Sequence, residues 1–206
     1  MPTEATDKPL AGLSGKLLPH GSQLPAGLTY RGAYSYDYKK TWPTSLADGY
    51  ENAVPVTGLI GADQSLNGPT NAQIRAAYGT VSGVTDMAAN SHADTDPRFK
   101  SVMSTIVRFR TPTFAQSAIA KAQRKQGGMY WIRPTLTRAN VAWSGVTGVT
   151  GDHGVYTFAT GVGPQDYVAY QVVGEYIVSA DSQSAASAEQ AVTDMVGNLR
   201  TAGLLP

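Results

Sequence analysis

The stretch YVAYQVVGEYIVSADSQSAASAEQAVTDMVGNL, residues 167–199, contains the two patterns that predict the fold. Its first part is rich in β-branched and aromatic residues and predicts one long strand. Alternate residues of a strand share a face, and one face would carry Val168, Tyr170, Val172, Tyr176 and Val178. The second part repeats apolar residues every three or four positions, which predicts a helix that ends near Gly203. The core stripe of this helix is expected to comprise Ala188, Ala191, Val192, Met195 and Leu199.

The same order of patterns occurs earlier in the chain. STIVRFR, residues 104–110, predicts a strand, and TPTFAQSAIAKAQRK, residues 111–125, predicts a helix with Thr111 as N-cap and Pro112 at its first position. Strand, hydroxyl-rich turn and Ala-rich helix therefore occur twice, which indicates a divergent pseudo-repeat; chance similarity is the alternative. We expect an α+β fold in which an antiparallel sheet is backed by two main Ala-rich helices.

The predicted domain organisation is simple. Residues 1–26 contain four prolines and three glycines and no sustained periodicity, so a flexible leader or tether is expected there. Residues 27–206 are expected to form a single α+β domain, in which residues 140–143 and 154–160 are further predicted strands.

Composition narrows the function classes. The 206 residues include no cysteine, which excludes disulfides, thiolate zinc sites, iron–sulfur clusters and a cysteine nucleophile. Charged residues make up only 15%, against about 25% in typical soluble domains. A surface made polar by hydroxyls and amides is common among exported proteins, so a cell-envelope location is expected, with the targeting segment absent from this sequence. No apolar run approaches the ~18 residues of a membrane helix.

Charge is segregated along the chain. Residues 98–140 carry nine basic side chains and no acidic one, whereas residues 141–206 carry one basic and six acidic side chains. These cations either pair internally with Asp166 and Glu175, or they form a surface for an anionic small molecule, a lipid headgroup, a cell-wall polymer or a protein partner. The isoelectric point is near 7.9, whereas nucleic-acid-binding domains typically have values above 9. A nucleic-acid partner is therefore not expected. The candidate anion-binding residues are Arg108, Arg110, Lys121, Arg124, Lys125 and Arg133.

Other chemistry has weaker support. His92, Asp94 and Asp96 occupy alternate positions, so an extended loop would turn all three to one side, where oxygen ligands suit a hard cation. A solvated loop explains the same pattern better, because the EF-hand spacing is missing. No catalytic motif and no cofactor fingerprint is present, and His20, His92 and His153 fit exposed turns. The tyrosines 34, 36 and 38 would share a strand face, either in the core or lining a pocket.

One family resemblance spans roughly residues 17–203. LLPHGSQLPAGLTY (17–30), VPVT (54–57), STIVRFRTPTFAQSAIAKA (104–122) and the terminal strand–helix pair follow one another in the order found in a broad actinobacterial group. The chain resembles its small lipoproteins and the extracellular sensor domains related to those of mycobacterial serine/threonine kinases. Members usually carry disulfide cysteines, whereas this chain has GLIGADQ after VPVT. The resemblance implies this architecture and non-enzymatic binding of a ligand or partner.

Three functions follow as expectations. The first is a non-enzymatic, sensor-like binding domain of the cell envelope with a basic surface from residues 98–140. The second is a structural subunit of a larger assembly, such as a phage virion component, for which homo-oligomers are expected. The third is a hydrolase whose site the sequence does not reveal.

Overall fold

The computed structural model describes residues 10, 14–37, 80–92, 97–123, 137–158 and 166–206. Its helices are α1 (Ser14–Leu17), α2 (Pro112–Gln123) and α3 (Ala185–Thr201), and a short 3-10 helix spans Gly21–Gln23. Its strands are β1 (Thr29–Asp37), β2 (Thr80–Ala89), β3 (Ser101–Phe109), β4 (Thr137–Arg138), β5 (His153–Phe158), β6 (Asp166–Val173) and β7 (Tyr176–Ser182).

The strands form one antiparallel sheet in the order β1-β2-β3-β7-β6-β5-β4. β1, β2 and β3 make one meander, which is followed by α2. β5, β6 and β7 make a second meander, which is followed by α3. The two halves join through the β3–β7 pair, where Thr105 lies opposite Ser179. The predicted α+β class is confirmed, and the topology matches the predicted division into two strand–helix halves.

The central strand β3 is buried on both faces. Val102 and Ile106 belong to the core cluster that α3 helps to form, while Val107 and Phe109 point to the other face and are also buried. α2 contacts β3, β6 and β7 and begins as predicted. The Thr111 carbonyl accepts a hydrogen bond from the Ala115 N–H (3.2 Å), and its hydroxyl accepts one from the Phe114 N–H (3.3 Å).

Helix α3 covers β7, β6 and β3. All five residues of its predicted core stripe are buried, together with Val196. Ser184 caps the first turn by accepting a hydrogen bond from the Ser187 N–H (3.4 Å). The helix ends at a glycine in the left-handed region, Gly203 (φ 69°), whose N–H donates to the Arg200 carbonyl while the Leu204 N–H donates to the Leu199 carbonyl. These two bonds make a Schellman motif.

The predicted long strand over residues 167–180 is wrong. It is interrupted by a two-residue hairpin turn at Gly174 and Glu175, because Gly174 adopts a φ of 54° that reverses the chain. The even-numbered residues that were predicted to share one face therefore lie on opposite faces before and after the turn. Tyr176 and Val178 pack in the α3 cluster, whereas Val168, Tyr170 and Val172 are buried on the other face.

Part of the predicted flexible leader, residues 1–26, belongs to the core. Leu10, Leu17 and Leu18 are almost completely buried in the α3 cluster. Asn198 of α3 donates a hydrogen bond to the Leu17 carbonyl (3.2 Å) and forms a reciprocal amide pair with Gln23. Apolar side chains placed between prolines and glycines have no helical or strand period, so the sequence pattern did not indicate their burial.

Candidate functional site

The first four cations of the basic segment 98–140 are distributed along β3. Arg98 and Lys100 are exposed before the first residue of this nine-residue strand, and Arg108 and Arg110 lie at its other end. An extended chain rises about 3.3 Å per residue, so the two pairs are roughly 30 Å apart. These four cations therefore lie at opposite ends of β3 and do not form one continuous patch.

Arg108 pairs with Glu175, one of the two internal partners that the sequence suggested. Its guanidinium Nη2 lies 3.1 Å from Oε1 of Glu175, and its side chain is only 9% exposed. The guanidinium also lies over the ring of Tyr176, 5.9 Å from the centroid. Burial raises the pKa of Tyr176, although the charge of Arg108 acts in the opposite direction. The Arg108 guanidinium therefore contacts Glu175 and Tyr176 within the protein.

Asp166 lies away from Arg108. It is the first residue of β6, whereas Arg108 lies opposite Tyr176, which follows the end of that strand. Its Oδ1 accepts a hydrogen bond from Nε2 of Gln183 (3.1 Å). The expectation that Asp166 faces the two arginines was wrong because it assumed one continuous strand, and the hairpin turn reverses the direction.

Arg110 has a different environment from Arg108. It occupies the bend between β3 and α2 and is half-buried. Within the described part of the chain its side chain forms no ion pair. The backbone of Lys121 lies in the last turns of α2, about 14 Å along the helix axis from Pro112. The side chain of Lys121, and Arg124, Lys125 and Arg133 entirely, lie outside the described residues.

Of the three candidate cation ligands, only His92 lies within the described residues. His92 lies in the loop between β2 and β3, where its N–H donates to Oδ1 of Asn90 (3.3 Å). The Asn90 side chain also donates to the Arg98 carbonyl (2.7 Å), so one amide holds both sides of the loop. Asp94 and Asp96 lie outside the described residues. In the described ranges, no three His, Asp or Glu side chains are grouped so that they could hold a metal ion.

The other two histidines contact backbone carbonyls. Nδ1 of His20 lies 2.9 Å from the Leu18 carbonyl oxygen. Nδ1 of His153 lies 3.4 Å from the Gly151 carbonyl oxygen, and the ring meets Trp143 edge-on at 5.9 Å. His153 was predicted in a turn, and it is instead the first residue of β5.

Tyr170, which the sequence placed on a strand face, forms a buried pair with Tyr156, which the sequence did not single out. The rings of Tyr156 and Tyr170 stack at 5.8 Å, and the Tyr170 hydroxyl donates to Oδ2 of Asp152 (3.1 Å). Burial, followed by the nearby Tyr156 and Asp152, raises the pKa of Tyr170 well above its usual range. Tyr34 and Tyr36 lie opposite Thr85 and Gly83 in the sheet, and their side chains, like Tyr38 as a whole, lie outside the described residues.

Gln171 is a further buried polar residue whose role the sequence did not indicate. Its fully buried amide bonds the backbone of residues 146, 151 and 152, which precede β5. Gln171 lies in the predicted strand among residues that alternate between faces, and no local pattern distinguishes a glutamine that binds a distant loop from one at the surface.

Among the described residues, no helix is long and apolar enough to cross a membrane.

The fold has a known counterpart. The structure is similar to that of the extracellular domain of PknH from Mycobacterium tuberculosis, with a TM-score of 0.52, 14% sequence identity, and coverage of 95% of this chain and 99% of that one. No protein-family model matches the chain, and no curated protein matches it. The chain thus shares its fold, over nearly its whole length, with a mycobacterial extracellular domain.

Proposed function

We propose that this chain is a non-enzymatic, sensor-like binding domain exposed at a cell envelope. The observation that carries the proposal is the similarity in fold to an extracellular domain over 95% of the chain. The low content of charged residues, 15%, and the lack of cysteine agree with a domain that relies on its hydrophobic core alone. In a nucleophilic triad a carboxylate orients Nδ1 of the histidine, whereas at His20 and His153 Nδ1 contacts a backbone carbonyl.

The proposed ligand or partner is anionic. Arg110 supports this choice because it is partly accessible and lacks an ion pair with the described residues, in contrast to Arg108. Lys121, Arg124, Lys125 and Arg133 are proposed to extend the same surface. Arg108 is proposed to shape this surface through Glu175 and Tyr176 without contacting the ligand itself.

Ion-exchange retention tests the proposed anion-binding surface. The chain is applied to a phosphate-bearing matrix and eluted with a salt gradient; Arg110→Gln and Arg124→Gln are expected to elute at lower salt than wild type. Arg98→Gln is the matched control, because it removes the same charge at the far end of β3. Equal shifts for all three variants would show a dependence on net charge alone and would count against a local surface.

Accessibility on whole cells tests the location. An epitope fused to the C-terminus is expected to be removed by protease added to intact cells of the native host. An epitope that is protected until the cells are lysed would contradict an envelope-exposed domain.

A further inference from the structure

Residues 139–152 join β4 to β5 without a strand or helix of their own. We call this segment the strap. Residues 140–143 were predicted as a strand, and that prediction was wrong. Trp143, Val146 and Val149, three residues apart, pack on or within the α3 core cluster, whereas Asn140, Thr147 and Thr150 are exposed. The strap therefore closes one side of the apolar core.

The polar attachment of the strap depends largely on Gln171. Oε1 of Gln171 accepts a hydrogen bond from the Val146 N–H (3.1 Å), and its Nε2 donates to the carbonyls of Gly151 (2.9 Å) and Asp152 (3.3 Å). The strap's middle has one further side-chain attachment among the described residues, a 3.4 Å hydrogen bond from Arg200 to the Gly148 carbonyl. At its ends, backbone bonds join Ala139 to Val155 and Val172 to Asp152, and the Tyr170 hydroxyl donates to the Asp152 carboxylate.

Two glycines allow the strap to reach Gln171. A Cβ on Gly145 would lie 2.7 Å from Oε1 of Gln171 and 2.8 Å from the His153 ring, and Gly145 has a φ of 78°. A Cβ on Gly151 would lie 1.8 Å from the Val172 carbonyl oxygen. A side chain at either position would force its neighbours to shift: the Gln171 amide and the His153 ring at Gly145, and the Val172 backbone at Gly151.

We infer that the strap is a flap that opens while the sheet stays folded. Hydrogen bonds from Gln171 hold it closed over the apolar face of β5 and β6. The middle of the strap has few hydrogen bonds to the sheet, and segments attached in this way open locally at a lower free energy than the core strands. Its opening exposes Val155 and Ala169, which are buried in the same cluster as Val146. This inference does not depend on the proposed function.

Hydrogen exchange followed by mass spectrometry tests the flap. In the wild type, the strap amides, including Val146, are expected to exchange faster than those of β3 and β7. Gln171→Met keeps the length of the side chain and removes its hydrogen bonds, so strap exchange is expected to rise roughly tenfold with little change in β3 and β7. Binding of the dye 1-anilinonaphthalene-8-sulfonate should rise in parallel as apolar surface opens.

Gln183→Met is the matched control, because Gln183 also joins separate segments through its amide, binding Ser101 and Asp166. It should leave strap exchange unchanged. Gly145→Ala is the second variant and should reproduce the effect of Gln171→Met with the glutamine intact. Strap amides as protected as those of β7 in the wild type, or uniform acceleration across the sheet in both variants, would overturn the inference.

Discussion

The guanidinium of Arg108 and the carboxylate of Glu175 meet at 3.1 Å although 67 residues separate them in the chain. The backbone reinforces the contact, since the Phe109 N–H donates to the Glu175 carbonyl at 2.8 Å. Together these bonds join the end of β3 to the β6–β7 turn. The ion pair thus stabilises the β3–β7 junction, which connects the two halves of the sheet.

Removal of either partner should destabilise the protein unequally. Glu175→Ala leaves the charge of Arg108 buried, whereas Arg108→Met leaves a carboxylate that is 26% exposed and remains hydrated. We expect Glu175→Ala to cost about 1–3 kcal/mol, below the 3–5 kcal/mol of a fully buried pair, and Arg108→Met to cost less. Urea unfolding measures both. Arg110→Met, at a position without an ion pair to the described residues, should stay within about 0.5 kcal/mol of wild type. A larger loss for Arg108→Met than for Glu175→Ala would contradict this account.

Two glycines, one inside α3 and one just after its end, should respond in opposite directions to the same substitution. Gly197 lies inside the helix, is exposed and has no atom within 4 Å of an added Cβ. Gly197→Ala should therefore raise the free energy of unfolding by about 0.5–1 kcal/mol. Gly203→Ala should lower it by about 1 kcal/mol, because Gly203 needs a φ of 69° to end the helix. Thermal unfolding measures both changes, and the same sign for both variants would rule out this explanation.

Leu17 should behave as a core residue. It is completely buried in the α3 cluster although it lies in a segment rich in proline and glycine. Leu17→Ala should cost about 2–5 kcal/mol, the range for large-to-small changes in a core. Lys16→Ala, at the exposed neighbouring position, should change stability by less than about 0.5 kcal/mol. A loss below about 1 kcal/mol for Leu17→Ala would indicate that residues 14–26 are detached from the domain in solution.

The stability of the protein should fall as the pH rises through the titration of Glu189. Burial raises the pKa of Glu189, so the folded state holds this proton to a higher pH than the unfolded state does. Because the folded state binds more protons in that window, stability decreases from the unfolded pKa, about 4.3, upwards until the folded group has ionised. Glu189→Gln should make this decrease smaller, as measured by urea midpoints between pH 3.5 and 7. An identical pH dependence in variant and wild type would assign the effect to other groups, such as Asp194, whose pKa is also raised by burial.

Local patterns predicted much of the fold. The stripe of α3, the N-cap at Thr111 and the strand β3 depend on residues within a few positions of each other, where helical and strand periods and capping act directly. The hairpin at Gly174 was missed because a single glycine among strand-forming residues also fits a continuous strand.

The candidate site was predictable in composition but not in arrangement. The sequence indicated an excess of cations in residues 98–140 and named Glu175 as one internal partner. It could not indicate that Lys100 and Arg110 lie at opposite ends of β3, because a count of charges along the chain does not give the distances between them.

The sequence by itself determined the class of fold, two strand–helix halves without cysteine, and the identity of most core residues in α3. Only the tertiary structure decided that Arg108 is engaged by Glu175, that Leu17 and Leu18 fill the core, and that Gln171 holds the strap. The physical reason is that local patterns select helices and strands, whereas these three contacts join residues far apart in sequence and exist only once the sheet has brought them together.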